Sequence, residues 1–338
     1  MNQLRIGFLG CGGIQRKHLS GLLRRSDAEA VAFADTDPTR IDWLLGEQKA
    51  TGLQAGKYVS MEDLYAHSGL DAVVIATPHT LHDEQIARAL EAGLHVLVEK
   101  PMVTTVAGAR RMMELAEASK KHVLVAYNSP YSPEFRYLRE AIRDERFGRL
   151  QMVSGYISQG WKRFVAGSWR EDVSLSGGGF AYDSGAHPLN SVCWAIDRLP
   201  TRVLAWLEHK GRPVEVEASI LAKFGEDVTA SVTLSGDSDS GYGSFMVFCF
   251  ERGRIEIDGW NGQWVRVWDE RGPVKYPVVA GEPFQPIDHL IEVIRGEAEP
   301  LTGPRNGLVH SKLMEMIYAS AESGLAVEAD QAEGLEPT

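Results

Sequence analysis

The fold of this chain is decided near its start, where residues 4–15 read LRIGFLGCGGIQ. A short apolar run passes directly into a glycine-rich turn, and a segment of helical periodicity follows at once. Glycines at such a junction permit a tight turn and let backbone N–H groups approach a pyrophosphate at the positive end of a helix. Gln15 stands where the G-x-G-x-x-G pattern has its third glycine, so we expect the helix to pack slightly farther from the strand. The residues predicted to contact a dinucleotide are Gly10, Gly12, Gly13 and Ile14.

The residues up to 126 continue this alternation of apolar runs and helical segments, which is typical of a parallel sheet wound with helices. The predicted strands lie at Leu4–Leu9, Ala30–Ala34, Asp71–Ala76, His95–Val98 and Val123–Ala126. The predicted helices lie at Ile14–Arg25, Pro38–Lys49, Leu81–Ala92 and Val106–Lys120. The fold class is therefore α/β, with residues 1–126 as a doubly wound Rossmann domain. The alternative boundary extends this domain through its closing helices to about residue 145 and adds part of the C-terminus.

The pattern changes after Pro133, where short strands separated by turns replace the regular alternation. The predicted strands are Gln151–Ile157, Val203–Leu207, Glu215–Phe224, Val228–Leu234, Phe245–Phe250, Arg254–Ile257 and Trp264–Trp268. The predicted helices are Glu134–Arg143, Gly185–Ile196, Ile287–Ile294 and Asn306–Ser323. We expect residues 127–338 to form an α+β domain with a large, mostly antiparallel open sheet.

Composition limits the partners. The 338 residues carry a net charge of -11 without a Lys/Arg-rich block, which disfavours nucleic acid, because its binding depends on cationic contacts to phosphate. No run of about 18 apolar residues occurs, so we expect no membrane span and a cytoplasmic protein. The three cysteines are widely separated and form no Cys-x-x-Cys pair, so neither a disulfide framework nor a zinc site is expected.

Asp35 bears on the choice of cofactor. It ends the second predicted strand about 20 residues after the glycine turn, where a carboxylate can accept hydrogen bonds from a ribose diol and would repel a 2′-phosphate. The sequence therefore predicts NAD, with NADP less favoured. Arg40 lies close enough in the sequence to blur that preference, and an exposed Asp35 without a ligand remains the alternative interpretation.

Two segments carry candidate chemistry. Lys100 follows the strand His95–Val98, and the carboxyl ends of parallel strands line the ligand crevice, where an ammonium could stabilise an alkoxide. The second segment is the glycine-rich stretch from Gly177 to His187. If it is helical, Asp183 and His187 stand at i and i+4 and share one face. A carboxylate beside an imidazole suits a group that takes up a hydroxyl proton near neutral pH. A surface lysine and a structural Asp/His pair remain the alternatives, and metal binding is disfavoured because no further His or Cys lies nearby.

Aromatic and polar side chains follow the predicted domain boundary. Flat rings beside hydrogen-bond donors suit sugars, which have apolar C–H faces and hydroxyl edges. A core or subunit-contact role would explain the same residues equally well. The predicted substrate-binding residues are Asn128, Tyr131, Trp161, Trp169 and Arg170.

These motifs occur together, in order, over nearly the whole chain. They are Gly10-x-Gly12-Gly13 before His18, Thr77-Pro78 before His82, Glu99-Lys100-Pro101, and Gly177-Gly178-Gly179 before Asp183-x-x-x-His187. In this set the chain resembles the Gfo/Idh/MocA family of sugar and inositol oxidoreductases. The resemblance implies a Rossmann domain followed by an α/β domain whose open sheet bears the substrate site and often builds the oligomer.

The resemblance also implies residue roles. Lys100, Asp183 and His187 would be the catalytic set, with His187 as general acid/base. Cofactor contacts would come from Thr77, Pro78, His82, Glu99 and Lys100, and in similar proteins the peptide before Pro101 is often cis. The chain departs from the family at Asn128–Tyr131, where many relatives carry an arginine, and at Asn190, where an aspartate is common. These departures concern the substrate rather than the hydride chemistry.

The function expected from these observations is an NAD(P)-dependent oxidoreductase that moves a hydride to or from a hydroxyl-bearing carbon of a sugar, inositol or sugar derivative. His187 would remove the hydroxyl proton, Lys100 would stabilise the alkoxide and Asp183 would orient the pair. An NAD-dependent glycosidase that oxidises its sugar transiently is one alternative. A sugar- or NAD-sensing regulator without catalysis is another.

Overall fold

The computed structural model describes residues 3–238 and 243–329. The chain forms two compact units. The first comprises Met1–Ala126 and Phe284–Gly307, and the second comprises Tyr127–Pro283 and Leu308–Thr338. Residues 330–338 of the predicted second domain lie outside the described residues. The prediction that residues 1–126 and 127–338 are separate domains stays a prediction.

The first stretch of the chain alternates strands and helices. Its elements are β1 (Leu4–Leu9), α1 (Gln15–Leu22), β2 (Ala28–Ala34), α2 (Pro38–Glu47), β3 (Gly56–Tyr58), α3 (Met61–Tyr65), β4 (Ala72–Ile75), α4 (His82–Glu91), β5 (His95–Val98), α5 (Val106–Ser119) and β6 (Val123–Val125). The five predicted strands and the four predicted helices are all present, with ends shifted by a few residues. The three-residue strand β3 was not predicted, because it is too short and too polar to give an apolar run.

The second stretch is richer in strands. Its elements are α6 (Pro133–Arg143), β7 (Leu150–Ser158), α7 (Trp161–Phe164), α8 (Val173–Ser176), α9 (Ala186–Ile196), β8 (Arg202–Glu208), β9 (Glu217–Phe224), β10 (Val228–Ser235), β11 (Gly243–Phe250), β12 (Gly253–Ile257), β13 (Val265–Asp269), β14 (Gly272–Val274), α10 (Pro286–Ile294), α11 (Pro304–Ser323) and β15 (Val327–Glu328). No helix in the described ranges is long and apolar enough to cross a membrane.

The first unit contains a six-stranded sheet in the order β3-β2-β1-β4-β5-β6, with all neighbouring strands parallel. Its central strand β4 is buried at every position, as expected for a sheet covered on both faces. The doubly wound Rossmann prediction is confirmed. The unit also includes α10, whose Ile287, Leu290 and Ile291 join the same apolar core as Leu19 of α1 and Leu97 of β5.

The second unit contains a nine-stranded sheet in the order β14-β13-β12-β11-β7-β10-β9-β8-β15. Strands β7 and β10 pair in parallel, and the other neighbours are antiparallel. Burial alternates along β9 and β10, so one face of the sheet covers the core and the other is open. The predicted large, mostly antiparallel open sheet is confirmed.

Helix α9 lies inside the core of the second unit. All its residues are buried, and apolar Leu189, Val192 and Ile196 pack in the same cluster as Val153 of β7. A helix that is apolar on nearly all sides has to be enclosed. This enclosure fixes the start of α9, and His187 is its second residue.

Candidate functional site

The turn after β1 is shaped for close approach of a ligand. Gly10 has φ +80°, and a Cβ added there would lie 2.6 Å from the carbonyl oxygen of Ala76, so only glycine fits. A Cβ added to Gly12 or Gly13 would meet no atom of the described residues within 4 Å. Backbone therefore faces open space at the start of α1, as a pyrophosphate requires. Ile14, the N-cap residue of this helix, is 44% exposed.

Gln15 fills the place of the missing third glycine. Its side chain is fully buried, and Nε2 donates to the carbonyl oxygens of Leu9, at 3.4 Å, and Val74, at 3.2 Å. The glutamine amide thus bonds to the ends of two neighbouring strands, where a glycine would only allow close packing. The turn keeps its shape without the third glycine because hydrogen bonds hold the helix to the sheet.

Asp35 closes the glycine turn from the side. One carboxylate oxygen accepts the N–H of Cys11 at 2.7 Å and the other accepts the N–H of Asp37 at 3.0 Å. Each oxygen retains a lone pair for a ribose hydroxyl. Burial, followed by the charge of Asp35, raises the pKa of the Cys11 thiol to about 12, which keeps it neutral beside the carboxylate. The guanidinium of Arg40 stacks on Trp43 at 4.4 Å.

His82 joins the loops that follow β4 and β5. It is fully buried, with Nδ1 2.8 Å from the carbonyl oxygen of Pro101 and Nε2 3.1 Å from that of Thr77. Burial lowers the pKa of His82, so the neutral ring donates to one of these carbonyls. His82 therefore lies between the two loops and donates a hydrogen bond to the backbone of one of them, while Thr77 and Pro78 lie half-buried at the strand end.

The loop after β5 carries Glu99, Lys100 and Pro101. Glu99 accepts a hydrogen bond from Nε2 of His18, in α1, at 2.8 Å, and its other oxygen accepts the N–H of Lys100 at 3.3 Å. The Lys100–Pro101 peptide is cis. Lys100 is 9% exposed, which is unusual for a lysine without a functional reason. Glu99 thus links the helix after the glycine turn to the backbone of Lys100.

The second unit holds the other candidate residues. Asp183 lies in the turns before α9, not within that helix, so the expectation that Asp183 and His187 share one helical face is not met. The reason is that the glycine-rich segment forms successive turns up to Gly185. Oδ2 of Asp183 accepts the indole N–H of Trp161 and the Nε–H of Arg170, each at 2.8 Å.

The predicted aromatic residues therefore converge on Asp183. Trp161 is 3% exposed, so its indole N–H serves the carboxylate and its ring packs in the core against Phe180. Arg170 also stacks on Trp169 at 4.4 Å, and this pair is the more accessible part of the cluster. Trp161 and Arg170 thus hold the charge of Asp183, and Trp169 is half-buried beside Arg170.

His187 is buried among rings and backbone. Nδ1 accepts the N–H of Asn128 at a long 3.4 Å, and the ring packs edge-on against Tyr127 and Trp260. The centroid of the Trp260 ring lies 4.6 Å away, which makes it the nearest aromatic neighbour. Trp260 was not predicted. Its only signal in the sequence is a turn-rich stretch around it, from Asp258 to Gly262.

The loop that carries Trp260 is fixed by one carboxylate. Asp258 accepts the N–H groups of Trp260, Asn261 and Gln263 at 3.2–3.3 Å. A carboxylate that accepts several backbone N–H groups orders the loop around it. Trp260 is therefore held against His187 by its own loop.

Tyr131 is buried near the start of α6, and Asn190 follows His187 by one helical turn in α9. Nδ2 of Asn190 and Oγ of Ser129 are buried without a hydrogen-bond partner among the described residues. Buried polar atoms nearly always have a hydrogen-bond partner, so these two are candidates for hydrogen bonds to water or to a ligand hydroxyl. Within the described ranges, no group of three or more His, Cys, Asp or Glu residues could hold a metal ion.

Comparison with known families places both units. Residues 4–127 match a family model described as an oxidoreductase family with an NAD-binding Rossmann fold. Residues 135–265 match a model described as a GFO/IDH/MocA C-terminal domain.

Curated relatives agree with these matches. A 1-carboxy-3-chloro-3,4-dihydroxycyclohexa-1,5-diene dehydrogenase of Comamonas testosteroni is 30% identical over 237 residues, which cover 69% of this chain and 58% of that relative. An inositol 2-dehydrogenase of Corynebacterium glutamicum is 32% identical over 154 residues, which cover 45% of this chain and 44% of the relative. The matched region thus spans roughly half the length of these curated relatives.

A solved structure, the WlbA dehydrogenase from Bordetella pertussis in complex with NADH and UDP-GlcNAcA, matches with a TM-score of 0.83 and 24% identity. The match covers 97% of this chain and 99% of that one. At this identity the likeness concerns the fold.

Proposed function

Because this chain belongs to the Gfo/Idh/MocA oxidoreductase family, we propose that it is an NAD-dependent dehydrogenase of a sugar, an inositol or a related hydroxylated ring. One observation carries the proposal. The glycine turn after β1 and Lys100 after β5 lie at the same carboxyl edge of one parallel sheet. A dinucleotide on that turn extends along this edge, where open α/β sheets bind their ligands. The names of the two curated relatives support a hydroxylated six-membered ring as substrate.

The first unit would hold NAD through backbone and one carboxylate. The N–H groups at Gly12 and Gly13 would bind the pyrophosphate, and Asp35 would accept hydrogen bonds from the adenosine ribose. A 2′-phosphate would meet the negative charge of Asp35, which disfavours NADP. Bound NAD supplies the hydride acceptor. Thr77 and Pro78, at the end of β4, would line the cofactor farther along the edge.

We assign to Lys100 the stabilisation of the substrate oxygen. As the C–H bond breaks and its hydride leaves, negative charge builds up on that oxygen, and a nearby ammonium lowers the energy of this state. Burial of Lys100 strengthens the effect, because water screens the charge less. The ordered loop, held by His18, Glu99 and His82, keeps the ammonium in place before substrate binds.

We assign to His187 the exchange of the hydroxyl proton. In oxidation the O–H bond breaks, the proton passes to Nε2 of His187, and the C–O bond becomes a carbonyl; reduction reverses each step. The Asn128 N–H orients the ring through Nδ1. While Nδ1 accepts this N–H, the ring proton of neutral His187 is on Nε2, so Nε2 would serve as the base only after substrate binding replaces this long 3.4 Å contact and the ring proton moves to Nδ1.

Asp183 would stabilise the protonated form of His187, while Trp161 and Arg170 keep the carboxylate oriented. The accessible substrate contacts would come from Trp169 and Arg170, with Asn128 and Tyr131 shaping the wall around His187. We also propose a homo-oligomer. The open face of the second sheet exposes large apolar side chains, and their burial would need a second copy. They are Met152, Tyr156, Trp206 and Leu221.

The test is a screen of inositols, aldoses, anhydrosugars and glycosides with NAD and NADP, followed by NADH absorbance. With the best substrate, Lys100→Met and His187→Gln should each lower kcat by about 10²- to 10⁴-fold while NAD affinity is kept. The matched controls are Lys57→Met and His209→Gln, since these side chains form exposed surface contacts. Both controls should keep wild-type kcat.

Three outcomes would contradict the proposal. Near-normal turnover in both variants would remove Lys100 and His187 from the reaction. Release of a chromogenic aglycone without net NADH would identify a glycosidase that oxidises its sugar transiently. Binding of NAD and sugar without turnover of any substrate would identify a regulator.

A further inference from the structure

Glu215 is a buried carboxylate just before β9. It is 2% exposed, both its oxygens accept the N–H of Gly179, at 2.8 and 2.9 Å, and one also accepts the N–H of Ala181 at 3.1 Å. No lysine, arginine or histidine of the described ranges forms an ion pair with it. Burial of a carboxylate without a cationic partner is costly unless hydrogen bonds compensate it. These backbone groups therefore supply most of that compensation.

The backbone that Glu215 holds leads directly to the candidate catalytic residues. The carbonyl oxygen of Gly179 accepts the N–H of Asp183 at 2.9 Å, and that of Phe180 accepts the N–H of Gly185 at 2.8 Å. Gly185 is the residue from which α9 and His187 begin. A shift of the turn at Gly179 would therefore move both Asp183 and the start of α9.

The glycine run itself is explained by this contact. A Cβ added to Gly179 would collide with the main-chain oxygen of Glu215, and one added to Gly178 would collide with the hydroxyl of Tyr318. The N–H of Phe180 also donates to the Glu215 carbonyl at 2.8 Å. The turn and Glu215 thus approach each other as closely as backbone allows. Glycine at position 179 is therefore required by the close packing against Glu215, and glycine at position 178 leaves room for the side chains of Tyr318 and Tyr182.

The pKa of Glu215 is subject to opposing effects. Burial raises it, and the hydrogen bonds from the N–H groups of Gly179 and Ala181 offset only part of that rise. In the ionised form both oxygens are free to accept these N–H groups. The arrangement is typical of a carboxylate that is used as a fixed acceptor for backbone.

We propose that Glu215 is a positioning residue, whose carboxylate holds the turn at Gly179 and thereby sets the geometry of Asp183 and His187. It acts through the backbone and does not touch substrate or cofactor. The expected effect of Glu215 on catalysis rests on the proposed function. Its structural part, the ordering of the turn by the carboxylate, can be measured without substrate.

The experiment compares Glu215→Gln with Glu217→Gln in the full chain. Glu217 lies two residues farther along in β9, and its partners are the exposed Lys210, at 3.0 Å, and Ser235, at 3.2 Å. The Glu215→Gln change keeps the side-chain volume but replaces one acceptor oxygen by an amide nitrogen, which cannot accept the turn N–H groups. Hydrogen–deuterium exchange is followed in the peptide spanning residues 177–187. Turnover, KM and NAD affinity are measured on the same samples.

Glu215→Gln should speed exchange in that peptide at least about tenfold and lower kcat about 10- to 100-fold, since small misplacements of catalytic groups are costly. NAD affinity should stay within about twofold, because the cofactor residues belong to the first unit. The pH–rate profile should also move along the pH axis, which a loss of folded protein would not cause. Glu217→Gln should match wild type in every measurement.

Unchanged exchange and kcat in Glu215→Gln would overturn the inference. If that variant does not fold, Glu215→Asp decides, because it keeps the charge but withdraws the carboxylate from the N–H groups of Gly179 and Ala181 by one methylene group. It should speed exchange in the same peptide and lower kcat about threefold, and wild-type behaviour would overturn the inference. Absence of turnover by the wild type would contradict the proposed function, while the exchange comparison would still test Glu215.

Discussion

The candidate site residues of the two units are held in different ways. In the first unit, the ligand-facing surface is backbone at the end of β1, and its shape depends on glycines that follow one another in the sequence. In the second unit, the reactive groups are buried side chains, and the residues that hold them come from distant segments. Asp183 depends on Trp161 and Arg170, and its turn depends on Glu215.

This difference separates two kinds of sensitivity. A backbone site loses function when a Cβ intrudes, even where the protein itself tolerates the change. A side-chain site loses function when a partner changes its hydrogen bonds, even where volume and packing are kept. Substitutions in the first unit should therefore impair function through added volume at the turn. Substitutions in the second unit should impair it through lost hydrogen bonds or charge.

Gly10 and Gly12 give the largest expected contrast. Gly10→Val should lower the free energy of unfolding by about 3 kcal/mol or more, because a β-branched residue is strained at φ +80° and its Cβ would overlap Ala76. Gly12→Ala should change stability by less than about 1 kcal/mol, since its Cβ enters open space. It should nevertheless weaken NAD binding about tenfold or more, because the methyl group occupies the approach of the pyrophosphate.

Urea denaturation and calorimetric titration with NAD measure the two effects separately. Equal loss of stability in both variants would contradict the structure of the turn. Unchanged NAD affinity in Gly12→Ala would contradict the placement of the cofactor on it.

Asp183 gives an intermediate effect of the opposite kind. Asp183→Asn keeps volume but removes the charge that pairs with Arg170, so we expect kcat to fall about 100-fold with NAD affinity unchanged. Trp161→Phe removes one hydrogen bond to the same carboxylate and should lower kcat only several-fold. Steady-state kinetics with saturating NAD separate the two. A larger loss in Trp161→Phe than in Asp183→Asn would mean that packing, not the charge of Asp183, controls the reaction.

The candidate site residues of the first unit could be predicted from the sequence because each of their signals is local. The passage from the apolar run Leu4–Leu9 through Gly10 to a helical segment defines strand, turn and helix within a few residues. Lys100 is found in the same way, at the end of a short apolar run. The role of Gln15 was not predicted, since its hydrogen bond to Val74 joins positions far apart in the sequence.

The fold and the candidate site residues of the second unit were predicted only in part. The strands followed from their alternation and α9 from its apolar run, but the pairing of β7 with β10 in parallel depends on tertiary packing. Asp183 and His187 could be selected by residue type, whereas Trp260 and Glu215 could not. Both act through contacts with residues 34 or more positions away, and neither contact leaves a periodic signal.

The smallest expected effect is a change in the pH dependence of stability in the first unit. His95, at the start of β5, accepts the N–H of His122 through Nδ1 at 3.1 Å, and burial, followed by the charge of Lys121, lowers its pKa from 6.5 to about 4. Between these values the unfolded chain binds the proton more readily than the folded one, so the stabilisation is complete above pH 6.5 and is lost as the pH falls towards 4. Allowing for partial solvent screening, the loss should be about 1–2 kcal/mol.

Urea denaturation of wild type and His95→Asn at several pH values isolates this contribution from that of other histidines. The asparagine oxygen can still accept the His122 N–H but does not titrate, so the variant should lose less stability between pH 6.5 and 4. Exchange measured by peptide should place the difference in the strands of the first unit, with the Asp183–His187 segment unaffected. Equal pH dependence in both proteins would mean that His95 is accessible to solvent and that the local packing at the start of β5 is looser than the structure shows.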